Sequence, residues 1–163
     1  MASNITSFGK WASVESGIKI NIDLSRFDKQ YQKAQYGLDG DVMSSMTPFM
    51  PMQQGSFAQV TQAASAAVQG SGKVYAAFGP AGQFLYKGKT MVSEVTGSPW
   101  ARLGEQKVLV SQYGGQTKAK EDLAYNKTAH PEAQAYWFDA AKARDGKAWV
   151  KNAKKNAGGG KRG

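Results

Sequence analysis

The chain has no cysteine and only one histidine, His130. The lack of cysteine excludes disulfide bonds, thiolate zinc sites, thiol nucleophiles and iron–sulfur clusters. A single imidazole excludes a metal site with paired histidines, and Pro131 beside it indicates that His130 starts a helix rather than acting as a general base. No Gly-x-Ser-x-Gly motif is present and the twelve carboxylates are scattered. We therefore expect neither an enzyme nor a bound cofactor.

Long hydrophobic runs are also missing. The longest stretch without charge, residues 42–72, contains five Gln, seven Ser or Thr and two Pro, which excludes a membrane-spanning helix. The first ten residues show neither the basic cluster nor the apolar stretch of a signal peptide. We expect a protein that is made in a cytoplasm and has no membrane partner.

Acidic residues are few, with 12 Asp and Glu against 21 Lys and Arg, so the formal net charge is +9. Such a charge favours an anionic partner. From Lys142 onward there are eight basic residues and a single acid, Asp145. These charges either offset a helix dipole or contact phosphates. Only Trp149 is interleaved with them, so we do not expect stacking on nucleic-acid bases.

The 163 residues include 41% hydrophobic side chains, which is enough for a single core. We predict an extended N-terminal arm over residues 1–20, one domain over 21–157 and a flexible Gly-rich basic tail over 158–163. The expected fold class is α+β: a long N-terminal helix packed on a small antiparallel sheet of hairpins, with a C-terminal helical segment.

The first half of the domain has the clearest periodicity. Alternating residues predict a strand over 18–22, and apolar residues every three or four positions predict a helix of about twenty residues from Ser25 to Pro48. Gly37 and Gly40 within this helix indicate a tight packing contact or a kink. Residues 56–69 permit helix through their alanines and strand through their β-branched residues, and we favour strand.

The second half shows short patterns separated by turns. Residues 73–78, 83–86, 91–94 and 107–112 are candidate strands, so 73–112 is predicted to form antiparallel hairpins, followed by a polar loop over 113–128. A helix is expected from His130, with a break at Asp145-Gly146 and a second segment from Lys147. The predicted core comprises Phe27, Tyr31, Leu38, Val42, Trp137, Phe138 and Trp149.

The segment Gly70-Ser-Gly-Lys73 is similar to a phosphate-binding loop. However, Ala67 stands where the motif requires its first glycine, and Val74 replaces the magnesium-binding Ser or Thr. We interpret the segment as a turn.

Seven stretches occur in one order along the chain. They are Asp23-Leu-Ser, Gln32-Lys-Ala-Gln-Tyr36, Pro48-Phe-Met-Pro-Met52 with Gly55, Gln83-Phe-Leu-Tyr-Lys-Gly-Lys89, Val95-Thr-Gly-Ser-Pro-Trp-Ala-Arg102, His130-Pro-Glu-Ala-Gln-Ala-Tyr-Trp-Phe-Asp-Ala-Ala-Lys142 and Lys147-Ala-Trp-Val150. Together they resemble the minor capsid proteins of tailed phages of Gram-positive bacteria, which belong with the tail-completion proteins of the head–tail neck. The resemblance covers roughly residues 21–157. The arm and residues 56–69 depart from the family pattern.

The resemblance implies a virion protein at the head–tail neck, assembled in the host cytoplasm as a homo-oligomeric ring around the DNA channel. Its implied partners are further copies of itself, the head-closure or adaptor protein, and the tail terminator or tail tube protein. We expect a weak contact with genomic DNA phosphates. The alternative is a small basic protein that binds DNA without sequence specificity.

Within this picture we assign candidate site residues. The DNA-channel candidates are Lys87, Lys89, Arg102 and Lys107, with the C-terminal basic residues as rivals for the same role. Phe8 and Trp11 are candidates for contacts between the arm and an adjacent subunit. Turn-rich loops such as 84–100 are expected to project from the sheet and reach neighbouring rings.

Overall fold

The computed structural model describes the backbone of residues 10–15, 18–52, 56–79 and 82–158, and side chains within these ranges from residue 23 onward, except Ser56. Its elements in chain order are β1 (Lys10–Glu15), β2 (Ile18–Asp23), α1 (Ser25–Met46), α2 (Ser56–Ala67), α3 (Gly82–Lys87), β3 (Met91–Ser93), β4 (Lys107–Leu109) and α4 (Trp137–Asn156). Short 3₁₀ turns follow α1 and β4, at Thr47–Phe49 and Val110–Gln112. This mixture of helices and short antiparallel strands is compatible with the predicted α+β class. The long helix α1 packs mainly along α4, although we expected it to pack on a sheet.

The strands form two separate antiparallel pairs within the described residues. In the first pair, the register runs from Lys10 opposite Asp23 to Glu15 opposite Ile18. Strand β2 confirms the prediction for residues 18–22, whereas β1 lies in the predicted arm, where the sequence indicated no strand. Trp11 lies on the backbone of β1, and Phe8 lies outside the described residues.

Helix α1 confirms the predicted long helix and its end just before Pro48. At its start, the carboxylate of Asp23 accepts the backbone N–H of Ser25 at 2.9 Å. The two internal glycines mark tight contacts, as predicted. A Cβ atom at Gly37 would lie 3.0 Å from Asn156 Nδ2, and one at Gly40 would lie 2.8 Å from Gln69 Nε2.

The strand predicted over residues 56–69 is wrong, because α2 is a helix. Its buried face consists of Ala58, Thr61 and Ser65, which recur every three or four residues. The two hydroxyls accept backbone N–H groups of the following segment, Thr61 Oγ1 from Phe78 at 3.3 Å and Ser65 Oγ from Tyr75 at 3.0 Å. Residues 73–78 are therefore bound to α2 by hydrogen bonds and do not form the predicted strand.

Among the described residues between 73 and 112, one of the predicted hairpins is present. Strands β3 and β4 pair from Met91 opposite Leu109 to Ser93 opposite Lys107. The predicted strand over residues 83–86 is wrong, because these residues belong to α3. Residues 113–128 contain no helix or strand apart from a single bridge between Asp122 and Lys89. This confirms the polar loop that we predicted for this range.

The last helix begins later than predicted and has no break. Residues 130–136 make tertiary hydrogen bonds instead of helical ones: the backbone N–H of Gln134 donates to the Phe49 carbonyl, and that of Tyr136 donates to the Tyr86 carbonyl. Tyr136 has a left-handed φ of 52°, and α4 starts directly after it. Helix α4 then continues through Gly146, where we expected it to end.

The core lies where α1, α2 and α4 meet. Its buried cluster consists of Met46, Phe49, Met50, Ala58, Trp137, Ala141 and Trp149. Each buried indole donates a hydrogen bond, Trp137 Nε1 to the Ala76 carbonyl at 2.7 Å and Trp149 Nε1 to Ser45 Oγ at 3.0 Å. Three further predicted core residues pack against this cluster: Leu38, Val42 and Phe138.

Two residues that we predicted for the core are instead half exposed, Phe27 at 46% and Tyr31 at 50%. Both lie in the first two turns of α1. Helix α4 ends at Asn156, whose side chain lies beside Gly37, so it covers these first turns only in part.

Candidate functional site

The segment between β3 and β4, residues 94–106, exposes large apolar side chains; we call it the β3–β4 loop. Val95 is 72% exposed, Trp100 85% and Leu103 fully exposed. We call these three residues the apolar tip. Because their side chains are largely in solvent, packing among the described residues does not explain their presence.

The start of the loop is organised around Ser93. This residue is fully buried, and its hydroxyl donates to Glu105 Oε2 at 2.6 Å. The same hydroxyl accepts the backbone N–H groups of Val95 and Thr96, each at 3.2 Å. Glu105 Oε2 in turn accepts the backbone N–H of Arg102 at 3.1 Å. One serine and one carboxylate thus connect both ends of the loop.

The backbone around Trp100 is held as well. The Trp100 N–H donates to Ser98 Oγ at 3.2 Å, and the Ser98 carbonyl accepts the Ser93 N–H at 2.8 Å. Lys107 Nζ donates to the Pro99 carbonyl at 2.7 Å. The residue at the centre of the tip therefore sits on a backbone with a defined conformation.

Gly97 attaches the loop to the following polar segment. It has a φ of 65°, and a Cβ atom there would lie 2.5 Å from the Tyr113 ring. The Gly97 carbonyl accepts a hydrogen bond from Thr117 Oγ1 at 2.6 Å. A side chain at this position would be strained and would displace Tyr113, so glycine is required.

The charge state of Glu105 supports this organisation at neutral pH. Its hydrogen bond from the Ser93 hydroxyl, followed by that from the Arg102 backbone N–H, holds the pKa of the Glu105 carboxyl below its usual range. Both bonds are stronger when the acceptor is the carboxylate than when it is the neutral acid. Ionised Glu105 therefore strengthens the two bonds that connect the ends of the loop.

The four DNA-channel candidates have different surroundings. Lys87 is exposed at the end of α3, and Arg102 is exposed on the β3–β4 loop. Lys89 Nζ forms ion pairs with Asp122 at 2.9 Å and Glu121 at 3.2 Å, and its hydrogen bonds to these carboxylates raise the pKa of Lys89. Lys107 is bound to the Pro99 carbonyl. Two of the four cations thus have partners within the chain.

Five of the eight C-terminal basic residues lie on one face of α4; Lys142 lies on the side of Trp149, and Lys161 and Arg162 are outside the described residues. Arg144, Lys147, Lys151, Lys154 and Lys155 are exposed and recur at helical spacing, away from the buried Ala141 and Trp149. Arg144 pairs with Asp145 at 2.9 Å and Glu132 at 3.4 Å and lies over the Phe49 ring. Within the described part of the chain, the four lysines form no ion pair. We call these four the α4 lysine face.

A groove of about 860 Å³ lies between α1, α4 and residues 72–74. Its lining is mainly apolar and includes Leu38, Val42, Val74, Phe138, Trp149 and Val150. Lys142 and Lys147 also line it. We call this cavity the α1–α4 groove.

Asp39 lies at the groove and is almost fully buried. One carboxylate oxygen accepts the backbone N–H groups of Gly70 at 2.7 Å and Gly72 at 3.1 Å, and the other accepts Gln35 Nε2 at 2.7 Å. The segment that is similar to a phosphate-binding loop is thus a turn, as predicted. Two of its N–H groups bind the chain's own carboxylate.

The sequence indicated part of this site. It predicted that residues 84–100 would project, and Trp100 belongs to one of the stretches that carry the family resemblance. Val95 belongs to the same stretch. Leu103 was missed, although it is an isolated apolar residue among turn-forming residues between two strands. That pattern is the signal that would have identified it.

Two further features concern metals and membranes. Among the residues that the structure describes, no group of three or more His, Asp or Glu side chains could hold a metal ion. None of the helices in the described ranges is both long enough and apolar enough to cross a lipid bilayer.

Comparison of the chain with protein-family models, with curated proteins and with solved structures finds no match. Function must therefore be inferred from the surfaces described above.

Proposed function

We propose that this chain is a structural assembly protein that acts by contact with other proteins through the β3–β4 loop. Following the family resemblance, we further propose that it is a virion protein of the phage head–tail neck. There it would form a ring around the DNA channel and join the head-closure protein to the tail terminator or tail tube. The observation that supports a contact function is the hydrogen-bonded loop that exposes Trp100 and Leu103.

A loop of this kind leaves apolar surface unburied and keeps it available for a partner. Burying a large apolar side chain contributes roughly 1.5–3 kcal/mol, which the tip residues do not gain within this chain. Tryptophan is among the residues that most often dominate binding at protein interfaces. A loop that is already fixed by hydrogen bonds also loses less conformational entropy when it binds. These properties favour recognition of another protein surface.

The proposed position around a DNA channel needs weak cationic contacts. Lys87 and Arg102 are exposed, so both are free to lie near phosphates without a rigid grip. Lys89 is neutralised by Glu121 and Asp122, and we expect it to contribute less.

The neck proposal is tested on particles of the phage that encodes the chain. Mass spectrometry of purified virions should detect the chain in a fixed ratio to the major capsid protein. Negative-stain images of particles that carry a tagged chain should place the tag at the head–tail junction. Purified virions without the chain would contradict the proposal.

A second candidate function is DNA binding through the α4 lysine face, which is favoured by four lysines at helical spacing that form no ion pair with the residues the structure describes. If these lysines contact phosphates, replacing all four by Gln should reduce the slope of log affinity against log salt by roughly 3–4. The matched control replaces four exposed lysines outside α4, at positions 73, 118, 120 and 127. Nanomolar duplex binding by the isolated chain at physiological salt, lost only in the α4 variant, would support this function over assembly.

A further inference from the structure

We infer that the α4 lysine face is one end of a longer row of cations that continues onto α1, and that the whole row binds the phosphates of one DNA duplex. The α1 part consists of Arg26, Lys29 and Lys33, which we call the α1 basic face. The inference rests on the second candidate function, DNA binding, because it extends the site of that function to a second helix.

The α1 basic face is exposed, and its cations form no ion pair with the residues that the structure describes. They occupy positions i, i+3 and i+7 of the helix, so they lie within about 60° of one another around its axis. Asp28 is the only acid between residues 24 and 38. It lies at least about 100° around the helix from each of the three cations. This face of α1 is therefore cationic.

The α1 basic face and the end of the α4 lysine face lie on the same side of the helix pair. Lys33 lies about 180° around α1 from Val42, which lines the α1–α4 groove. Lys155 lies about 180° around α4 from Gly146, which lines the same groove. Both cations therefore lie on the side of the helix pair that is opposite the groove.

The contacts between the antiparallel helices α1 and α4 determine the order of the cations. The side chain of Asn156 lies beside Gly37. Since Lys33 precedes Gly37 by four residues and Lys155 precedes Asn156 by one, about 7.5 Å separate the two cations along the helix pair. Neighbouring cations within each helix are about 4.5–6 Å apart along its axis. In order, the row consists of Arg26, Lys29, Lys33, Lys155 and Lys151, and it is about 24 Å long.

Acidic side chains are scarce along the row. Residues 146–157 contain none. Asp41 lies at the junction of the two helices, where its carboxylate accepts a hydrogen bond from Asn152 Nδ2 at 3.0 Å. Lys147 and Lys154, the other members of the α4 lysine face, add two further cations beside the α4 end of the row. A surface with this balance of charge attracts a polyanion.

The charge spacing of duplex DNA fits this row. The duplex carries one phosphate charge per about 1.7 Å of its axis, so every cation of an extended row has phosphates within reach. Four of the five cations are lysines, which bind phosphate as point charges and need no fixed geometry. An acidic protein surface would need carboxylates at matching intervals over the same length. We therefore expect contact with the DNA backbone and no sequence specificity.

The salt dependence of DNA binding tests the row. The probe is a fluorescent duplex of ten base pairs, about 34 Å long, and its anisotropy measures affinity at several salt concentrations. Replacing the three cations of the α1 basic face by Gln should reduce the slope of log affinity against log salt by roughly 2–3, because three phosphate contacts are lost. The matched control replaces three exposed lysines outside the row by Gln, at positions 118, 120 and 127, and should reduce the slope by less than about 1. Equal reductions in the two variants would overturn the inference.

Two further measurements keep this test decisive. Glutamine has a helix propensity close to that of Lys and Arg, so the α1 variant should fold, which circular dichroism checks. If it does not, the double variant Lys29→Gln with Lys33→Gln replaces it, with an expected reduction of roughly 2 against Lys118→Gln with Lys120→Gln. With excess duplex, sedimentation velocity should show one duplex bound per chain. Two duplexes per chain would mean that α1 and α4 bind DNA separately, and would also overturn the inference.

The outcomes separate this inference from the functions on which it depends. If the α4 variant loses duplex binding and the α1 variant behaves like the control, DNA binding through α4 stands and the longer row is wrong. If the native chain binds no duplex even at low salt, both are wrong. Binding of poly-glutamate without binding of the duplex would assign the row to an acidic protein surface and would overturn the inference. The neck proposal is tested on virions and does not depend on these results.

Discussion

The core between α1 and α4 and the β3–β4 loop use the same residue type in opposite ways. Trp137 and Trp149 are buried, and each indole N–H is satisfied by an acceptor within the chain. Trp100 is 85% exposed. The core tryptophans contribute to stability through burial, whereas Trp100 contributes almost nothing to it and remains available for contact.

The two regions also differ in how their backbones are fixed. In the core, apolar packing fixes the helices, and no buried side-chain N or O atom of the described residues lacks a hydrogen-bond partner. In the loop, hydrogen bonds centred on Ser93 and Glu105 replace burial. A surface can therefore be rigid without being buried, and this is the condition under which exposed apolar residues can recognise a partner.

The largest expected effect is in the core. Trp137→Ala removes a fully buried side chain and its hydrogen bond to the Ala76 carbonyl, so it should lower the free energy of unfolding by about 3–5 kcal/mol. Urea denaturation followed by circular dichroism measures this change. The matched variant, Trp100→Ala, should change the same quantity by less than about 0.5 kcal/mol. Similar losses in both variants would remove the distinction between the two regions.

A smaller loss is expected at Asp39. Asp39→Ala leaves the backbone N–H groups of Gly70 and Gly72 without their acceptor, which should cost about 2–3 kcal/mol of unfolding free energy. The control is Asp41→Ala, two residues away. The carboxylate of Asp41 accepts one exposed hydrogen bond from Asn152, so this variant should lower the free energy of unfolding by less than about 1 kcal/mol. Urea denaturation of both variants would show equal effects if the turn did not depend on Asp39.

Gly146→Ala should stabilise the isolated chain by about 1 kcal/mol, because alanine has the higher helix propensity and its Cβ has room. Gly40→Ala should stabilise the chain by less than Gly146→Ala does. Its Cβ would lie 2.8 Å from Gln69 Nε2, which donates to the Tyr36 carbonyl. Thermal unfolding compares the two variants, and a destabilised Gly146→Ala chain would mean that the glycine is needed by the fold itself.

Lowering the pH should weaken the hydrogen bonds of the β3–β4 loop while the core stays folded. The pKa of Glu105 is lowered in the folded chain, so its contribution is complete above the ordinary value of about 4.3 and is lost as pH falls through the lowered value. At low pH, the amides of Val95, Thr96 and Arg102 should then exchange faster relative to the amides of α4. The rates are compared after correction for the intrinsic pH dependence of hydrogen exchange. Glu105→Gln should show this faster exchange already at neutral pH. Exchange that is independent of pH in the native chain would contradict the role of Glu105.

The fold could be predicted from sequence where local patterns decide it. Residues 18–22 and α1 were predicted correctly, because their side-chain periodicity agrees with their final structure. Residues 73–78 and 130–136 were predicted wrongly, because their backbone N–H groups bind Thr61, Ser65 and the carbonyls of distant residues. Such hydrogen bonds depend on tertiary neighbours and leave no local pattern.

The candidate site likewise has one part that local sequence predicts and one part that it does not. Turn-forming residues around Trp100 predicted a projecting loop, whereas the α1–α4 groove exists only after two helices far apart in sequence have packed. Gly146 was expected to break the last helix on propensity alone. Packing of Ala141 and Trp149 on either side of it keeps α4 continuous.

The most direct test of the central claim measures stability and association together in the double variant Trp100→Ser with Leu103→Ser. We predict an unfolding free energy within about 0.5–1 kcal/mol of the native chain, because both side chains are exposed. Sedimentation velocity at high protein concentration should show self-association that is at least tenfold weaker. Unchanged self-association in this variant, or a loss of stability as large as that of Trp137→Ala, would contradict the claim that the apolar tip is a contact surface.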